Sequence, residues 1–167
     1  MNIRAGAGGA FTLPVATPFC IIPSFTCGGD QIDDPPRRGE GLAPGTYGVV
    51  RVMNGGTLRF TPGIYTVCDV KVGRDARIEA DGAVTLQVDG SLRIGTDSYF
   101  GPVNGAPIID TYVTGRTVRV SQKAVAMARI VAPNARATFG RDSALDGCYC
   151  SDRSKSDKHI TLTCRVR

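Results

Sequence analysis

Residues 58–94 read LRFTPGIYTVCDVKVGRDARIEADGAVTLQVDGSLRI and contain three arginines that each lie between two apolar residues. At comparable spacing, the same triplet recurs twice more downstream. The five triplets are Leu58-Arg59-Phe60, Ala76-Arg77-Ile78, Leu92-Arg93-Ile94, Val118-Arg119-Val120 and Ala135-Arg136-Ala137. Their arginines are 18, 16, 26 and 17 residues apart. A repeat shorter than about 20 residues cannot enclose a core of its own, so each unit must stack on its neighbours.

The triplets predict short strands, because an extended apolar-charged-apolar sequence sends its outer residues to one face and the arginine to the other. A second alternating element and a glycine corner accompany the first three triplets. The alternating elements are Val50-Arg51-Val52, Val70-Lys71-Val72 and Val84–Val88, and the corners are Asn54-Gly55, Val72-Gly73 and Asp89-Gly90. Pro44-Gly45-Thr46-Tyr47 and Pro62-Gly63-Ile64-Tyr65 repeat at a step of 18 residues, which matches the step from Arg59 to Arg77.

The predicted fold is therefore all-β: a single parallel β-helix, or β-solenoid, of about five or six short coils. A βαβ unit would need a crossover helix and about 30 residues or more, and no convincing helix-period segment separates the predicted strands. Residues 124–128 favour helix individually. The repeat nevertheless places a coil and a corner there, so residues 118–132 are predicted as strand.

The chain of 167 residues is long enough for one domain with its own core. Residues 42–167 are predicted to form the solenoid, and residues 1–41 a non-repeat N-terminal segment. The long step of 26 residues predicts a loop insertion at about 95–111, where Gly and Pro are frequent. Residues 146–167 are predicted as a Cys-rich closing coil that a disulfide ties down.

The N-terminal segment carries apolar side chains that a merely flexible linker would not carry. These residues are Phe11, Phe19, Ile21, Ile22 and Phe25. Two interpretations stay open. The segment either caps an open strand edge of its own solenoid, or reaches a neighbouring subunit as a strand or latch in trans. On the second interpretation the five residues are assembly residues.

The six cysteines indicate an oxidising compartment, and hence an extracellular or cell-surface location. Metal ligation is the weaker interpretation, because the close pair Cys148-Tyr149-Cys150 lacks zinc-site spacing and the chain has one histidine. The sequence leaves fifteen full pairings open. The more natural ones join Cys20 to Cys27, and Cys148 or Cys150 to Cys164. Cys68 is predicted as a buried thiol.

The formal charge is +5. Acidic residues are interspersed among the basic ones, so nucleic acid is not the predicted partner. No apolar run reaches the 18 or so residues that a membrane span needs. If coils stack about 4.8 Å apart, the triplet arginines form an exposed ladder on one face. Its predicted members are Arg59, Arg77, Arg93, Arg119 and Arg136. Such a ladder would suit an anionic partner such as a cell-surface glycan.

A resemblance accompanies these patterns. The sequence from Leu42 to Val120, followed by Ile130-Val131-Ala132-Pro133-Asn134-Ala135, resembles bacterial surface and pilus-associated β-solenoid repeat domains of unassigned activity. Pro-Gly-x-Tyr corners and an Ala-Pro-Asn-Ala segment carry the resemblance, which covers about two-thirds of the chain. A more distant similarity is to bactofilin-type polymer-forming β-helices. The resemblance implies a structural or assembly role and supplies no catalytic residues.

The sequence predicts no enzyme, cofactor or metal site. Asp69 and Asp89 are better explained as corner residues or as partners of arginine than as a catalytic pair. A solenoid exposes strand edges at both ends, and exposed edges pair with other chains unless they are covered. The expected function is a secreted structural subunit that assembles head to tail with itself into a filament. The alternative is a cell-surface module that binds a glycan or another anionic polymer.

Overall fold

The computed structural model describes residues 2–4, 20–33, 41–104 and 106–164. Within these ranges the regular structure is entirely β, and the solenoid has about 6 turns. The strands are β1 (Asn2–Arg4), β2 (Ile32–Asp33), β3 (Gly45–Val52), β4 (Thr57–Phe60), β5 (Gly63–Val72), β6 (Arg77–Ala80), β7 (Val84–Val88), β8 (Ser91–Ile94), β9 (Tyr99–Pro102), β10 (Ile109–Val113), β11 (Thr117–Val120), β12 (Val125–Ala126), β13 (Ala128–Phe139), β14 (Ala144–Asp146), β15 (Tyr149–Ser156) and β16 (Thr161–Thr163). The predicted parallel β-solenoid is confirmed.

Each coil contributes strands to three faces. The first face stacks β4, β6, β9, β12, β14 and β16 in parallel. The second face contains β7, β10 and the first halves of β3, β5, β13 and β15. The third face contains β2, β8, β11 and the second halves of the same four long strands. The sequence pattern indicates two alternating strands in each repeat, and the structure has a third.

The corner from the third face to the first has four residues in every coil, and its third residue has a positive φ angle. These residues are Gly55, Asp75, Asp97, Lys123, Asp142 and His159, with φ between 54° and 71°. Glycine and aspartate tolerate this left-handed conformation better than most residues. The amide of Asp75 donates to Thr96 O at 3.0 Å, and the other corners but the last repeat this bond to the next coil. The corner therefore fixes the register between coils.

Length variation between coils lies outside this corner, in the first-face strands and the other two corners. The predicted loop at 95–111 is too long, because β9 and the start of β10 lie inside that range. Phe100 enters the strand pattern since it stacks on Ile78 in the core and is fully buried. Residues 103–108 form the long connection, of which residue 105 lies outside the described residues. Residues 118–132 contain β11, β12 and part of β13, so the strand prediction there is confirmed.

The core is a stack of inward columns, one or two for each face. The first-face column contains Leu58, Ile78, Phe100, Ala126 and Leu145, and the third-face column contains Val50, Val70, Leu92, Val118 and Ala137. A large side chain is followed by a small one where Phe100 stacks on Ala126. Each fully buried Val, Leu or Ile stabilises the fold by about 1.5–3 kcal/mol. A single coil would bury too few to fold alone.

The N-terminal part lies on its own solenoid. Residues 20–33, here called the strap, run from the last coil back to the first. A disulfide joins Cys20 to Cys150, Gly48 N donates to Asp30 O at 2.8 Å, and β2 pairs with β3. Strand β1 pairs antiparallel with β16 at the opposite end. In the described residues, the segment therefore covers one strand edge at each end of its own chain, as the capping interpretation expected.

The disulfides correct part of the cysteine prediction. Cys148 is joined to Cys164, which confirms the tie on the closing coil. The predicted Cys20–Cys27 bridge is wrong, because Cys27 is joined to Cys68 and Cys20 to Cys150. Cys68 is therefore not a free thiol. The physical reason is the extended path of the strap, which carries Cys20 and Cys27 to different coils instead of folding them onto each other.

A basic column on the third face as the candidate functional site

One outward position of the third face is basic in almost every coil. The strand register places Asp33, Arg51, Lys71, Arg93, Arg119, Thr138 and Lys155 side by side in that order. We call Arg51, Lys71, Arg93, Arg119 and Lys155 the basic column. With neighbouring strands about 4.8 Å apart, it extends about 24 Å along the solenoid axis. Thr138 occupies the one position of this span that carries no charge.

Burial of the neighbours holds these side chains outward. Arg93 lies between Leu92 and Ile94, both fully buried, and Arg119 lies between Val118 and Val120, of which at most 1% is exposed. Because successive side chains of a strand point to opposite faces, the basic residue between two core residues must face solvent. The same apolar-basic-apolar alternation at Val50–Val52 and Val70–Val72 extends the column to the first coils.

The predicted arginine ladder is wrong as a single ladder. Arg93 and Arg119 are direct neighbours. Arg59 and Arg77 lie on the first face, where Arg59 is opposite Glu79 and Arg77 is opposite Thr57 and Tyr99. Arg136 lies on the third face in the adjacent outward column, beside Thr117 and Arg153. The triplets recur on two faces of a coil, so their similar spacing does not place them in one row.

The first-face arginines are neutralised by carboxylates. Glu79 accepts hydrogen bonds from Arg77 Nε at 2.8 Å and Arg59 Nη2 at 3.2 Å. Arg59 also lies 3.5 Å from Asp81. Burial alone would raise the pKa of Glu79, but these hydrogen bonds and positive charges outweigh burial and hold the pKa below its usual value. The charge of this face is therefore internally balanced.

The basic column is much less balanced. Arg51 forms an ion pair with Asp33 at 3.4 Å. Among the described residues, Lys71, Arg93, Arg119 and Lys155 form no ion pair. Two of them, Lys71 and Arg93, interact electrostatically with the carboxylate of Asp69 on the same face. The column therefore presents four cations whose charge is available to an external anion.

Asp69 is itself held by its neighbours. Its carboxylate accepts hydrogen bonds from Ser91 Oγ at 2.6 Å and Ser91 N at 2.7 Å. Burial would raise the pKa of Asp69. The bonds from Ser91, together with the charges of Lys71 and Arg93, outweigh burial and lower the pKa instead. Asp69 is thus a fixed anion that moderates the repulsion between Lys71 and Arg93.

The predicted assembly residues of the N-terminal segment differ in how exposed they are. Phe11 and Phe19 lie outside the described residues. Ile21 is 72% exposed, whereas Ile22 and Phe25 are half-buried and line a depression beside the corner at Pro133. Ile21, Ile22 and Phe25, the predicted assembly residues that the structure describes, therefore belong to the strap.

Tyr47 and Tyr65, the tyrosines of the two Pro-Gly-x-Tyr corners, close a corner of the solenoid. Tyr65 is fully buried and its hydroxyl donates to Leu42 O at 2.5 Å, while the two rings stack with centroids 6.4 Å apart. Tyr47 donates to Ala43 O at 2.6 Å. Of the two carboxylates weighed as a catalytic pair, Asp89 accepts a hydrogen bond from Thr114 Oγ1 at 2.8 Å and Asp69 is held by Ser91. Each is thus a corner residue with a partner.

In the part of the chain that the structure describes, no three His, Cys, Asp or Glu side chains group closely enough to hold a metal ion. The described ranges also contain no helix that is long and apolar enough to cross a membrane. Neither a protein-family model, nor a curated protein, nor a solved structure matches the chain. The candidate site therefore rests on the geometry of the basic column.

Proposed function

We propose that the protein is a secreted, non-catalytic β-solenoid module whose basic column binds an anionic polysaccharide. The observation that carries this proposal is the register of Lys71, Arg93 and Arg119 in one outward row, where none of the three forms an ion pair with a carboxylate among the described residues. Like charges this close repel one another by about 1 kcal/mol in water. A polyanion laid along the row replaces this repulsion with attraction at each coil.

A polysaccharide suits the face better than nucleic acid does. The described outward positions of the third face carry charged and small polar residues and one valine, but no aromatic ring on which a base could stack. The three disulfides are compatible with an extracellular location, where acidic glycans occur and nucleic acid is not the usual partner. Carboxylate and sulfate groups are the anions that such polymers present to arginine.

The test compares two double variants with the same loss of charge. Lys71→Ser with Arg93→Ser removes two members of the column, and Arg74→Ser with Lys123→Ser removes two exposed corner cations. We expect the first variant to bind heparin about tenfold more weakly in calorimetric titration, since each solvent-exposed ion contact contributes up to about 1 kcal/mol. The corner variant should bind nearly as tightly as the unmodified chain.

Equal weakening in both variants would show that only net charge matters and would contradict the proposal. Duplex DNA serves as the second ligand at the same ionic strength. Tighter binding to DNA than to heparin and to other acidic polysaccharides would move the partner class to nucleic acid.

End-to-end assembly, the function first expected from the sequence, is the second candidate. An unpaired strand edge favours this candidate. The edge of β15 that faces away from β13 pairs with no strand in the described residues. The strap and β1 cover other edges of the same molecule, so the free edges at the two ends do not match. Assembly on this account requires the strap to leave the first coil.

Serine at Cys20, Cys27, Cys68 and Cys150 in the full chain releases the strap from both disulfides. Light scattering and electron microscopy then compare this variant with the unmodified protein. Filaments of the released variant would support assembly through uncovered edges. Filaments of the unmodified chain would support it without release, and monomers in both samples would rule it out.

A further inference from the structure

The uncharged position of the basic column opens into a hollow. Thr138 lies between Arg119 and Lys155 in the strand register, so these two cations are two coils, or about 9.6 Å, apart. A depression of about 480 Å³ lies at this point, and Thr138, Arg119 and Lys155 all line it. A third cation, Arg141, reaches the same depression from the corner that follows β13.

The hollow is rich in groups that donate hydrogen bonds. Besides the three cations, its lining residues include Thr138, Ser121 and Gln122, whose hydroxyl and amide groups can donate hydrogen bonds. One carboxylate, Asp157, also lines it. Among the described residues, none of Arg119, Arg141 and Lys155 forms an ion pair with that carboxylate or with another. The wall therefore offers a net positive charge of two and several neutral donors.

We infer that this hollow is a discrete binding site for a tetrahedral oxyanion, such as the sulfate or phosphate ester of a substituted sugar. A planar carboxylate is satisfied by one arginine that binds both oxygens in its plane. Here the cations come from three successive coils and the hydroxyl donors lie between them, so the donors surround a volume instead of facing one plane. That arrangement matches an anion with three free oxygens.

The inference deepens the proposed function, since it assigns one substituent of the anionic polysaccharide to one place on the third face. It also separates the roles of neighbouring positions. Lys71 and Arg93 would contact charges along the polymer, whereas Thr138 and Arg141 would select for an ester group. Because Lys71 and Arg93 lie outside the hollow, the two ideas are tested with different variants.

The chain supplies a matched control for Arg141. Arg74 occupies the same position of the same corner three coils earlier, and it lies outside the hollow. Arg141→Ser and Arg74→Ser therefore remove the same charge from equivalent corners. Thr138→Leu fills the hollow without changing charge, and Thr138→Ser keeps the hydroxyl. Position 138 faces outward between core residues, so both side chains are compatible with the strand.

The experiment is an NMR titration of the folded full chain with sodium sulfate, sodium phosphate and a 6-sulfated monosaccharide, each at constant ionic strength with chloride as the balancing salt. We expect saturable amide shifts at residues 119–122, 138–141 and 155–157. Thr138→Leu and Arg141→Ser should weaken binding about tenfold, the loss of one charge-assisted contact or of the space for it. Thr138→Ser and Arg74→Ser should leave it unchanged.

Shifts that do not saturate, or that weaken equally with Arg74→Ser and Arg141→Ser, would overturn the site. Unchanged binding in Thr138→Leu would overturn it as well. If sulfate binds here while the Lys71 and Arg93 variant retains full affinity for heparin, the oxyanion site in the hollow is supported. The proposal that the basic column binds a polysaccharide is then contradicted. The sulfated sugar, compared with free sulfate and phosphate, identifies which source of oxyanion fits best.

Discussion

At the scale of single residues, Glu79 shows how one carboxylate orders the first face. Its side chain is only 13% exposed and it accepts hydrogen bonds from two arginines that belong to successive coils. The bond from Arg59 ties one coil to the next, while the bond from Arg77 stays within a strand. Glu79 therefore contributes to the stacking of coils as well as to charge balance.

Replacing Glu79 with Gln should make the free energy of unfolding less dependent on pH in the acid range. Because the folded-state pKa is lowered, the ionised group stabilises the fold above its unfolded pKa of about 4.3, and this contribution is lost as pH falls through the folded pKa. Urea unfolding at pH 7 should show Glu79→Gln less stable by about 1–2 kcal/mol. The difference should shrink towards pH 3, and a difference that stays constant over this range would contradict the assignment.

A second residue-scale prediction concerns Thr111. This side chain is fully buried in the second face, where it stacks between Leu86 and Ile130, and its hydroxyl has no hydrogen-bond partner among the described residues. Burying a hydroxyl without a partner costs about 1–3 kcal/mol. Thr111→Val keeps the branched shape and should raise the free energy of unfolding by about 1 kcal/mol in urea titration. A loss of stability would indicate a partner for the hydroxyl.

At the scale of elements, the sequence predicted where strands form better than it predicted which face of the solenoid each strand belongs to. Alternation at residues such as Leu92-Arg93-Ile94 fixes which side chains face the core, and this was correct. Three strands per coil share that alternation, so the triplets alone could not tell Arg59 on the first face from Arg93 on the third. A stronger marker of phase was present at residues 73–76, 95–98 and 140–143, which read GRDA, GTDS and GRDS.

This four-residue marker predicts directly which residues share the outward row of the basic column. Aspartate at its third position tolerates the left-handed φ angle of the corner, and the small residue after it is buried. Counting back two residues from its glycine reaches Lys71, Arg93 and Thr138, which are in one row. The disulfides offered no such signal, because their pairing depends on how far the strap runs along the solenoid before each cysteine.

The path of the strap predicts a specific set of disulfide linkages. Peptide mapping without reduction should recover the linkages Cys20–Cys150, Cys27–Cys68 and Cys148–Cys164. Serine at both Cys27 and Cys68 should lower the free energy of unfolding by about 2–4 kcal/mol, since the bridge closes a loop of 41 residues in the unfolded chain. Recovery of a Cys20–Cys27 peptide would contradict the path of the strap.

At the scale of the whole molecule, the solenoid converts a residue pattern into a linear charge array. Its coils place one outward position of each turn at a constant spacing, and the disulfide-held strap covers a strand edge at one end while β1 covers one at the other. The first face neutralises its arginines internally, whereas Lys71, Arg93, Arg119 and Lys155 of the third face form no ion pair among the described residues. The two faces therefore have different roles although both are built from the same alternation.

The salt dependence of heparin binding tests this central claim most directly. A polyanion that contacts the row releases one counterion for each cation it covers, so the slope of log Kd against log salt concentration counts the contacts. Arg93→Ser and Arg119→Ser should each reduce that slope by about one, and Arg74→Ser should leave it unchanged. Equal slopes for all four proteins, or the same reduction in Arg74→Ser, would contradict binding along the basic column.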